Sequence, residues 1–174
     1  MLHNDKNLLE RLNQDWEQEN DDPKFDLFRR KLETDFLKKD INPSGKLVLF
    51  SESVDTLTYL QERLTQELGR NDVLMVTASN RNRLGQVIKE NFDANYQSDS
   101  RRYNLIITSD VLAEGVNLHR SNVIVNYDSP WNATRLMQRI GRVNRIGSVA
   151  PCIYNYMFYP SQQGDKEINL YKNA

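Results

Sequence analysis

Short, almost continuous apolar runs alternate along this chain with longer segments of helical periodicity. The runs are too short for helices, and they lack the regular polar positions of a strand with one solvated face. Between them, segments such as residues 54–68 repeat leucines at intervals of three or four residues. This order predicts βαβ units and hence a parallel α/β sheet covered by helices. The predicted strands cover residues 46–50, 73–77, 105–107, 123–125 and 152–158, and the predicted helices cover residues 54–68, 83–92 and 133–143.

Residues 1–42 show a different pattern, with apolar residues at helical spacing and no strand. Pro23 stands between two such groups and suits a first helical turn. The sequence NPSG at residues 42–45 then breaks the pattern. We therefore predict a helical lead-in over residues 1–42 and an α/β lobe over residues 43–174 that belongs to a longer protein. The apolar positions of the two lead-in helices are Leu8, Leu9, Leu12 and Trp16, followed by Phe25, Phe28, Leu32 and Phe36.

Composition excludes several kinds of site. Cys152 is the single cysteine, so no internal disulfide or multi-cysteine metal site is available, and we expect this residue in the core at the start of the last strand. Two histidines, His3 and His119, cannot supply a zinc cluster. No apolar run approaches the roughly 18 residues of a membrane span, and no signal-peptide pattern is present. We predict an intracellular, cytoplasmic protein with no metal site and no membrane partner, and nucleoid association is an option.

Four arginines and no acid occur from Arg135 to Arg145, although the formal net charge of the chain is only −1. At about 100° per residue, Gln138, Arg142 and Arg145 share one helical face. The planar guanidinium suits phosphate oxygens and keeps its charge. These residues alone leave two interpretations open, a solvated basic face or a phosphate site. The nearly opposite, apolar face consists of Leu136, Ile140 and Val143.

The sequence lacks the elements that cradle a nucleoside triphosphate. A P-loop requires Gly, four residues and then Gly-Lys-Ser/Thr. Gly45-Lys46 is the only Gly-Lys pair, and Asp40 and Leu47 stand where the first Gly and the hydroxyl residue should be. No acidic tetrad that could hold magnesium follows a strand. We therefore predict that the chain does not hydrolyse ATP by itself.

Several motifs together resemble those of superfamily 2 helicases. Residues 138–147, QRIGRVNRIG, are similar to motif VI, and residues 108–118, TSDVLAEGVNL, are similar to motif V. Residues 125–132, VNYDSPWN, resemble the stretch that precedes motif VI in the Swi/Snf-type branch. Residues 46–51 resemble motif IV, and residues 83–92 begin and end with the Arg and Phe of a family helix. The chain is thus identified as similar to the C-terminal lobe of such a motor.

The resemblance covers roughly residues 22–172, and it implies a RecA-like lobe. Ala133 stands where many Swi/Snf-type members carry Pro, and Ser148 stands where they often carry Gln. Residues 113–115 are less rich in glycine than in those members. These departures concern the branch rather than the lobe, and a bacterial relative of the Swi/Snf type is the preferred interpretation.

The resemblance also implies how a nucleotide is bound. ATP and Mg²⁺ would lie between this lobe and an N-terminal RecA-like lobe of the same protein, which would hold most of both. Arg142 and Arg145 would act on the γ-phosphate as arginine fingers. Gln138 would contribute to the same site, Asn117 corresponds to a position that contacts the nucleotide sugar in relatives, and Gly115 permits close approach of the backbone.

Polar side chains close several predicted strands at the carboxyl ends, where α/β sheets place their ligands. Thr108 and Ser109 offer hydroxyls to a nucleic-acid phosphate, and Ser51 and Thr77 close two neighbouring strands. We expect these four residues to hold the tracked strand, with DNA favoured over RNA as the partner. Thr108 and Ser51 should therefore lie at the same edge of the sheet.

Alternatives remain at each of these positions. The hydroxyls could instead cap helices, as Ser53 and Ser79 would. Trp131 could stack on a base or pack beneath its loop. For the whole chain, the rival function is a non-catalytic RecA-like scaffold or nucleic-acid adaptor. A small-molecule enzyme on an α/β fold is a third interpretation, and no nucleophile–base set in the sequence supports it.

Overall fold

The computed structural model describes residues 2–18, 22–97, 100–113, 115–130 and 132–159. Trp131 and the last fifteen residues lie outside these ranges, so the structure gives no account of Trp131 or of residues 160–174. The chain divides into two compact units, Met1–Lys31 and Leu32–Ala174.

The first unit contains two helices, α1 (Leu2–Gln18) and α2 (Pro23–Lys31). Pro23 opens α2, where its missing N–H removes no helical hydrogen bond, as predicted. The Asp22 carboxylate accepts hydrogen bonds from the backbone N–H groups of Lys24 (3.0 Å) and Phe25 (2.9 Å) and so caps the helix. The leucines of the predicted α1 stripe are exposed: they are Leu8, Leu9 and Leu12.

The second unit opens with a π-helical turn, Leu32–Phe36, so the α-helix predicted through Phe36 ends earlier, at Lys31. The sequence assigned residues up to 42 to the lead-in, and within the second unit Phe36 and Asn42 make contacts with the lobe. The Asn42 side chain donates to the backbone oxygens of Phe36 (3.0 Å) and Lys46 (2.9 Å). The rings of Phe36 and Tyr156 lie 4.6 Å apart between centroids.

Five parallel strands form one sheet in the order β2-β3-β1-β4-β5. Every residue of β1, β3 and β4 is buried. Successive strand residues point to opposite faces, so burial of all of them means that both faces are covered, as the apolar runs predicted. The strands are β1 (Leu47–Phe50), β2 (Val73–Val76), β3 (Leu105–Thr108), β4 (Val123–Asn126) and β5 (Tyr154–Met157).

Three helices and a 3₁₀ turn connect the strands: α3 (Val54–Leu68), α4 (Arg81–Phe92), the turn Asp110–Leu112 and α5 (Ala133–Val143). The Ser53 hydroxyl accepts a hydrogen bond from the Thr56 N–H (3.4 Å), which confirms it as the N-cap of α3. The prediction of a Ser79 cap is wrong, because α4 begins at Arg81 and Asn80 occupies its N-cap position.

Cys152 is exposed, so its predicted place in the core is wrong. The last strand begins at Tyr154, and Cys152 therefore lies in the connection before it. No group of three or more metal-ligating side chains occurs among the residues that the structure describes. None of the helices in that part of the chain has the length and apolarity to cross a membrane.

Candidate functional site

The carboxyl edge of the sheet, where β1, β2 and β3 end, brings together the strand-closing residues. Thr108 is the strand partner of Phe50 on one side and of Val76 on the other. The Ser51 N–H donates to the Thr108 carbonyl at 3.0 Å. The predicted adjacency of Ser51 and Thr108 at one edge is thus confirmed, because parallel pairing places equivalent ends of the strands side by side.

The hydroxyls at this edge already have partners within the protein. The fully buried Thr108 hydroxyl is 2.9 Å from the Val76 carbonyl, to which it donates. The buried Ser51 hydroxyl donates to the Asp128 carboxylate at 2.5 Å, and the Thr77 and Ser79 hydroxyls are 2.8 Å apart. That these hydroxyls meet phosphates stays a prediction, and their internal hydrogen bonds favour a structural role, since a buried hydroxyl is stabilised by an internal acceptor.

Ser109 differs from its neighbours at the carboxyl edge. It is half-buried, and its hydroxyl makes no hydrogen bond to any of the described residues. Its backbone has left the strand, with φ −85° and ψ −176°, at the start of the 3₁₀ turn. Of the predicted hydroxyl donors at this edge, Ser109 is therefore the one whose side chain is available to an external phosphate.

Arg139 is a buried charged residue that the sequence analysis did not single out. Its side chain is 0% exposed, and its guanidinium donates to Asp110 Oδ1 (2.6 Å) and Asn126 Oδ1 (3.0 Å). The guanidinium carbon also lies 5.0 Å from the centre of the Phe50 ring. Arg139 thus joins α5 to β1, β4 and the turn after β3.

The sequence did contain a signal for the burial of Arg139. It follows Leu136 by three residues and precedes Val143 by four, so it belongs to the apolar stripe of α5 rather than to the basic face. A charge on a buried stripe requires a buried partner, which Asp110 supplies. The exposed Arg135 contacts the other oxygen of Asp110 at 3.1 Å.

The arginine corner, formed by Asn117, Arg142 and Arg145, lies at the carboxyl end of α5. Arg142 occupies the last turn of the helix and is half-buried, with its Nε–H unbonded among the described residues. Its carbonyl accepts a hydrogen bond from the Leu118 N–H at 2.9 Å, which ties the helix end to the segment after the 3₁₀ turn.

Arg145 does not share the helical face that the sequence predicted, because α5 ends at Val143 and the backbone turns at Asn144 (φ −82°, ψ 88°). The turn nevertheless returns the Arg145 side chain to the helix. Its Nε–H donates to the Gly141 carbonyl at 3.2 Å, and its Nη1 donates to Asn117 Oδ1. Two of the predicted nucleotide-site residues, Asn117 and Arg145, are thus in direct contact.

The remaining predicted nucleotide residues lie close in sequence to the corner. Gly115 has φ +76°, and a Cβ built on it would lie 2.6 Å from Arg81 Nη2, so only glycine fits without displacement. The close approach predicted for Gly115 is therefore made by an arginine of this chain. Gln138 is half-buried one helical turn before Arg142, and its amide makes no hydrogen bond to the described residues.

A buried histidine adjoins the arginine corner. His119 is fully buried, and neither ring nitrogen makes a hydrogen bond within the described residues. Burial lowers the pKa of His119, and the positive charges of Arg145 and Arg120 lower it further. The Asp93 carboxylate, whose Oδ1 is 3.8 Å from Nδ1, raises the pKa by a smaller amount than burial lowers it. The ring is therefore held in its neutral form.

Comparison with known proteins gives a consistent set of similarities. The family model described as "Helicase conserved C-terminal domain" matches residues 24–147. The "Uncharacterized ATP-dependent helicase YqhH" of Bacillus subtilis is 35% identical over 104 residues, which are 59% of this chain and 17% of that protein. The "ATP-dependent RNA helicase DHH1" of Coccidioides immitis is 30% identical over 144 residues, which are 81% of this chain and 24% of that protein.

A solved structure has a similar fold. The C-terminal part of the Fun30 ATPase domain superposes with a TM-score of 0.65 at 20% identity, and the match covers 87% of this chain and 46% of that one. The chain spans about a quarter or less of the length of the two helicases named above.

Proposed function

The chain belongs to the family of helicase conserved C-terminal domains, and from this premise we propose that it is the C-terminal motor lobe of an ATP-dependent helicase or nucleic-acid translocase. The observation that carries the proposal is the arginine corner, which offers two guanidinium groups at the end of a helix anchored inside the lobe by Arg139. No P-loop accompanies them in the sequence. The lobe would therefore complete a site of which another lobe holds the greater part.

The side chains at the corner are suited to a nucleoside triphosphate. The half-buried Arg142 makes no side-chain hydrogen bond to the described residues, although its Nε is itself buried; Gln138 has an unbonded amide there, and Asn117 is bonded to Arg145. Bound ATP with Mg²⁺ would supply the transferable phosphoryl group. Arg142 and Arg145 would then stabilise negative charge on that group, a role worth about 10³–10⁵ in rate in comparable systems. Gln138, Gly115 and Asn117 would orient the rest of the nucleotide.

We propose that nucleic acid contacts the carboxyl edge of the sheet through Ser109 and backbone N–H groups rather than through the buried hydroxyls of Ser51, Thr77 and Thr108. DNA is our first candidate, because residues 125–132 resemble the Swi/Snf-type branch. RNA is the second, because several of the relatives, including the one that matches 81% of this chain, are named RNA helicases. ATPase stimulation by matched DNA and RNA oligonucleotides separates the two.

The arginine assignment is tested in the full-length protein by steady-state ATPase assays with saturating nucleic acid. Arg142→Ala and Arg145→Ala should each lower kcat strongly, and Lys at either position should restore little, since an ammonium does not reproduce the planar fork. Arg63→Ala, on α3, is the control and should behave like wild type. Wild-type kcat in both Ala variants would exclude the finger role and favour the non-catalytic scaffold.

A further inference from the structure

We propose that Asp93 is a positioning residue that fixes the orientation of Arg145 through the side-chain amide of Asn117. The contacts form a short series: the Asn117 Nδ2 donates to Asp93 Oδ2 at 3.1 Å, and the Asn117 Oδ1 accepts from Arg145 Nη1. Asp93 lies at the end of α4, outside the helicase-like motifs of the sequence. The inference rests on the proposed function only for its effect on catalysis, and not for the orientation itself.

An asparagine amide has two ends of nearly equal shape and opposite polarity. The NH₂ end of Asn117 would fit beside Arg145 as well as the carbonyl end does, but two hydrogen-bond donors would then face each other. A carboxylate only accepts hydrogen bonds, so Asp93 requires the NH₂ end of the amide. The carbonyl end is thereby turned toward the guanidinium, which only donates.

Asp93 is itself held in place. Its Oδ1 accepts the Asn95 N–H at 3.0 Å, and its own N–H donates to the Lys89 carbonyl at 3.1 Å. Its side chain is only 13% exposed, and the neighbouring His119 ring is neutral and fully buried. The carboxylate therefore acts in a poorly hydrated position, where a hydrogen bond to a charged group is stronger than in water.

The consequence for Arg145 is a guanidinium fixed at two of its nitrogens. Nε–H is bound to the Gly141 carbonyl and Nη1 to Asn117, whereas Nη2 makes no hydrogen bond to the described residues. An arginine on an exposed turn would otherwise sample many rotamers. Fixing it before a phosphate arrives lowers the reorganisation needed in the transition state.

A second Asn–Asp pair, Asn104 and Asp72, lies just before strands β3 and β2. Asn104 Nδ2 donates to Asp72 Oδ2 at 2.9 Å, in the same Asn-to-Asp geometry, but there Arg70 binds the carboxylate directly with two N–H groups at 2.8 Å. No amide stands between the acid and the arginine. Asp72 is therefore the control for loss of a partly buried aspartate that accepts from an asparagine.

The orientation is tested on the 174-residue chain by NMR of the arginine Nε–Hε groups, with Arg145 assigned through Arg145→Lys. Asp93→Leu should raise the mobility of the Arg145 side chain and shift its Nε–Hε signal. Asp93→Asn should give an Arg145 mobility between those of wild type and Asp93→Leu, because its amide can donate as well as accept and no longer requires the NH₂ end of Asn117. Asp72→Leu, the matched control, should leave Arg145 unchanged. An Arg145 signal that is the same in wild type and in Asp93→Leu overturns the proposal.

Catalysis gives the second readout, in the full-length protein. Asp93→Leu should lower kcat about tenfold, the size of one lost hydrogen bond to a charged group, with KM for ATP nearly unchanged. In an Arg145→Ala background the same change should have no further effect. If Arg145→Ala has wild-type kcat, the finger assignment fails while the NMR comparison still decides the orientation.

Folding is monitored by circular dichroism. If Asp93→Leu does not fold, Asp93→Ala and Asn117→Ser replace it in both experiments and should also release Arg145. An ordered Arg145 in either replacement overturns the proposal.

Discussion

The carboxyl edge of the sheet and the arginine corner of α5 were both predicted to bind phosphates, and the structure treats them differently. At the edge, the hydroxyls of Ser51 and Thr108 are buried and donate to acceptors inside the protein. At the corner, the exposed Arg145 is anchored through Nε and Nη1, and the half-buried Arg142 makes no side-chain hydrogen bond to the described residues.

Side-chain length explains much of this difference. A serine or threonine hydroxyl oxygen lies only about two bonds from Cα, so at a buried strand end it must find an acceptor there or lose a hydrogen bond. An arginine carries its five donors on a long stem, and it satisfies some of them internally while presenting the rest. Residue type alone therefore indicates a binding role more securely for the arginines than for the strand-end hydroxyls.

The largest expected effect separates catalysis from stability at the corner. In the full-length protein, Arg142→Ala should lower kcat by about 10³ or more, while the melting temperature of the 174-residue chain should stay within about two degrees of wild type. The half-buried side chain has little packing to lose. ATPase assays and calorimetry measure the two quantities. A large fall in melting temperature with normal kcat would mean that Arg142 has a structural role, like the buried hydroxyls at the carboxyl edge.

A second large effect is expected on stability, at Arg139. Arg139→Met should destabilise the chain by about 2–3 kcal/mol, because the buried Asn126 and the half-buried Asp110 each lose a hydrogen bond to a charged group. Arg135→Ala removes an exposed partner of the same Asp110 and should cost about 1 kcal/mol or less. Urea denaturation followed by circular dichroism compares the two. Equal losses would mean that burial does not distinguish these arginines.

A moderate effect is expected at the carboxyl edge. Thr108→Val keeps the shape of the side chain and removes its hydrogen bond to Val76, so it should destabilise by about 1 kcal/mol. Nucleic-acid affinity of the full-length protein should not change. Ser109→Ala should do the opposite, with little loss of stability and weaker binding. Nucleic-acid binding assays on both variants and on wild type, all at the same ionic strength, test this assignment. Weaker binding by Thr108→Val alone would restore the original prediction for its hydroxyl.

The smallest expected effect concerns pH. The folded-state pKa of His119 is lowered, so the unfolded chain binds more protons as the pH falls below about 6.5. The stability associated with neutral His119 is complete above that value and is lost as the pH decreases. His119→Gln should therefore show a smaller loss of unfolding free energy between pH 7 and pH 5 than wild type. Urea denaturation at several pH values measures it. An identical pH dependence in both chains would show that His119 does not titrate on unfolding.

The sequence predicted the fold in detail because the strands and helices carry periodic signals. Val54–Leu68 and Ala133–Val143 were predicted with the observed bounds, since apolar residues at helical spacing run through both helices and a polar N-cap residue precedes each. The position of Arg145 could not be predicted in this way, because a turn rather than a longer helix brings it back to Gly141. Cys152 was misplaced because the edge strand starts two residues later, and edge strands have a weaker apolar pattern.

The candidate site was predicted in part. The sequence brought together Asn117 and Arg145, which the structure places in contact. It did not identify Asp93 or Asp128, because each meets its partner only through the tertiary fold. The burial of Arg139 could have been predicted, since its spacing from Leu136 and Val143 already placed it on the apolar stripe.

The burial of Arg139 also has a mechanical consequence. Its guanidinium is bonded to the turn after β3 and to the end of β4, and it lies against the last residue of β1. These attachments stiffen the joint between α5 and the sheet, because tilting the helix would strain the hydrogen bonds of a guanidinium that is itself 0% exposed. We therefore expect a displacement of Arg142 to act through Arg139, about one turn earlier in α5, on Asp110, the residue that follows Ser109.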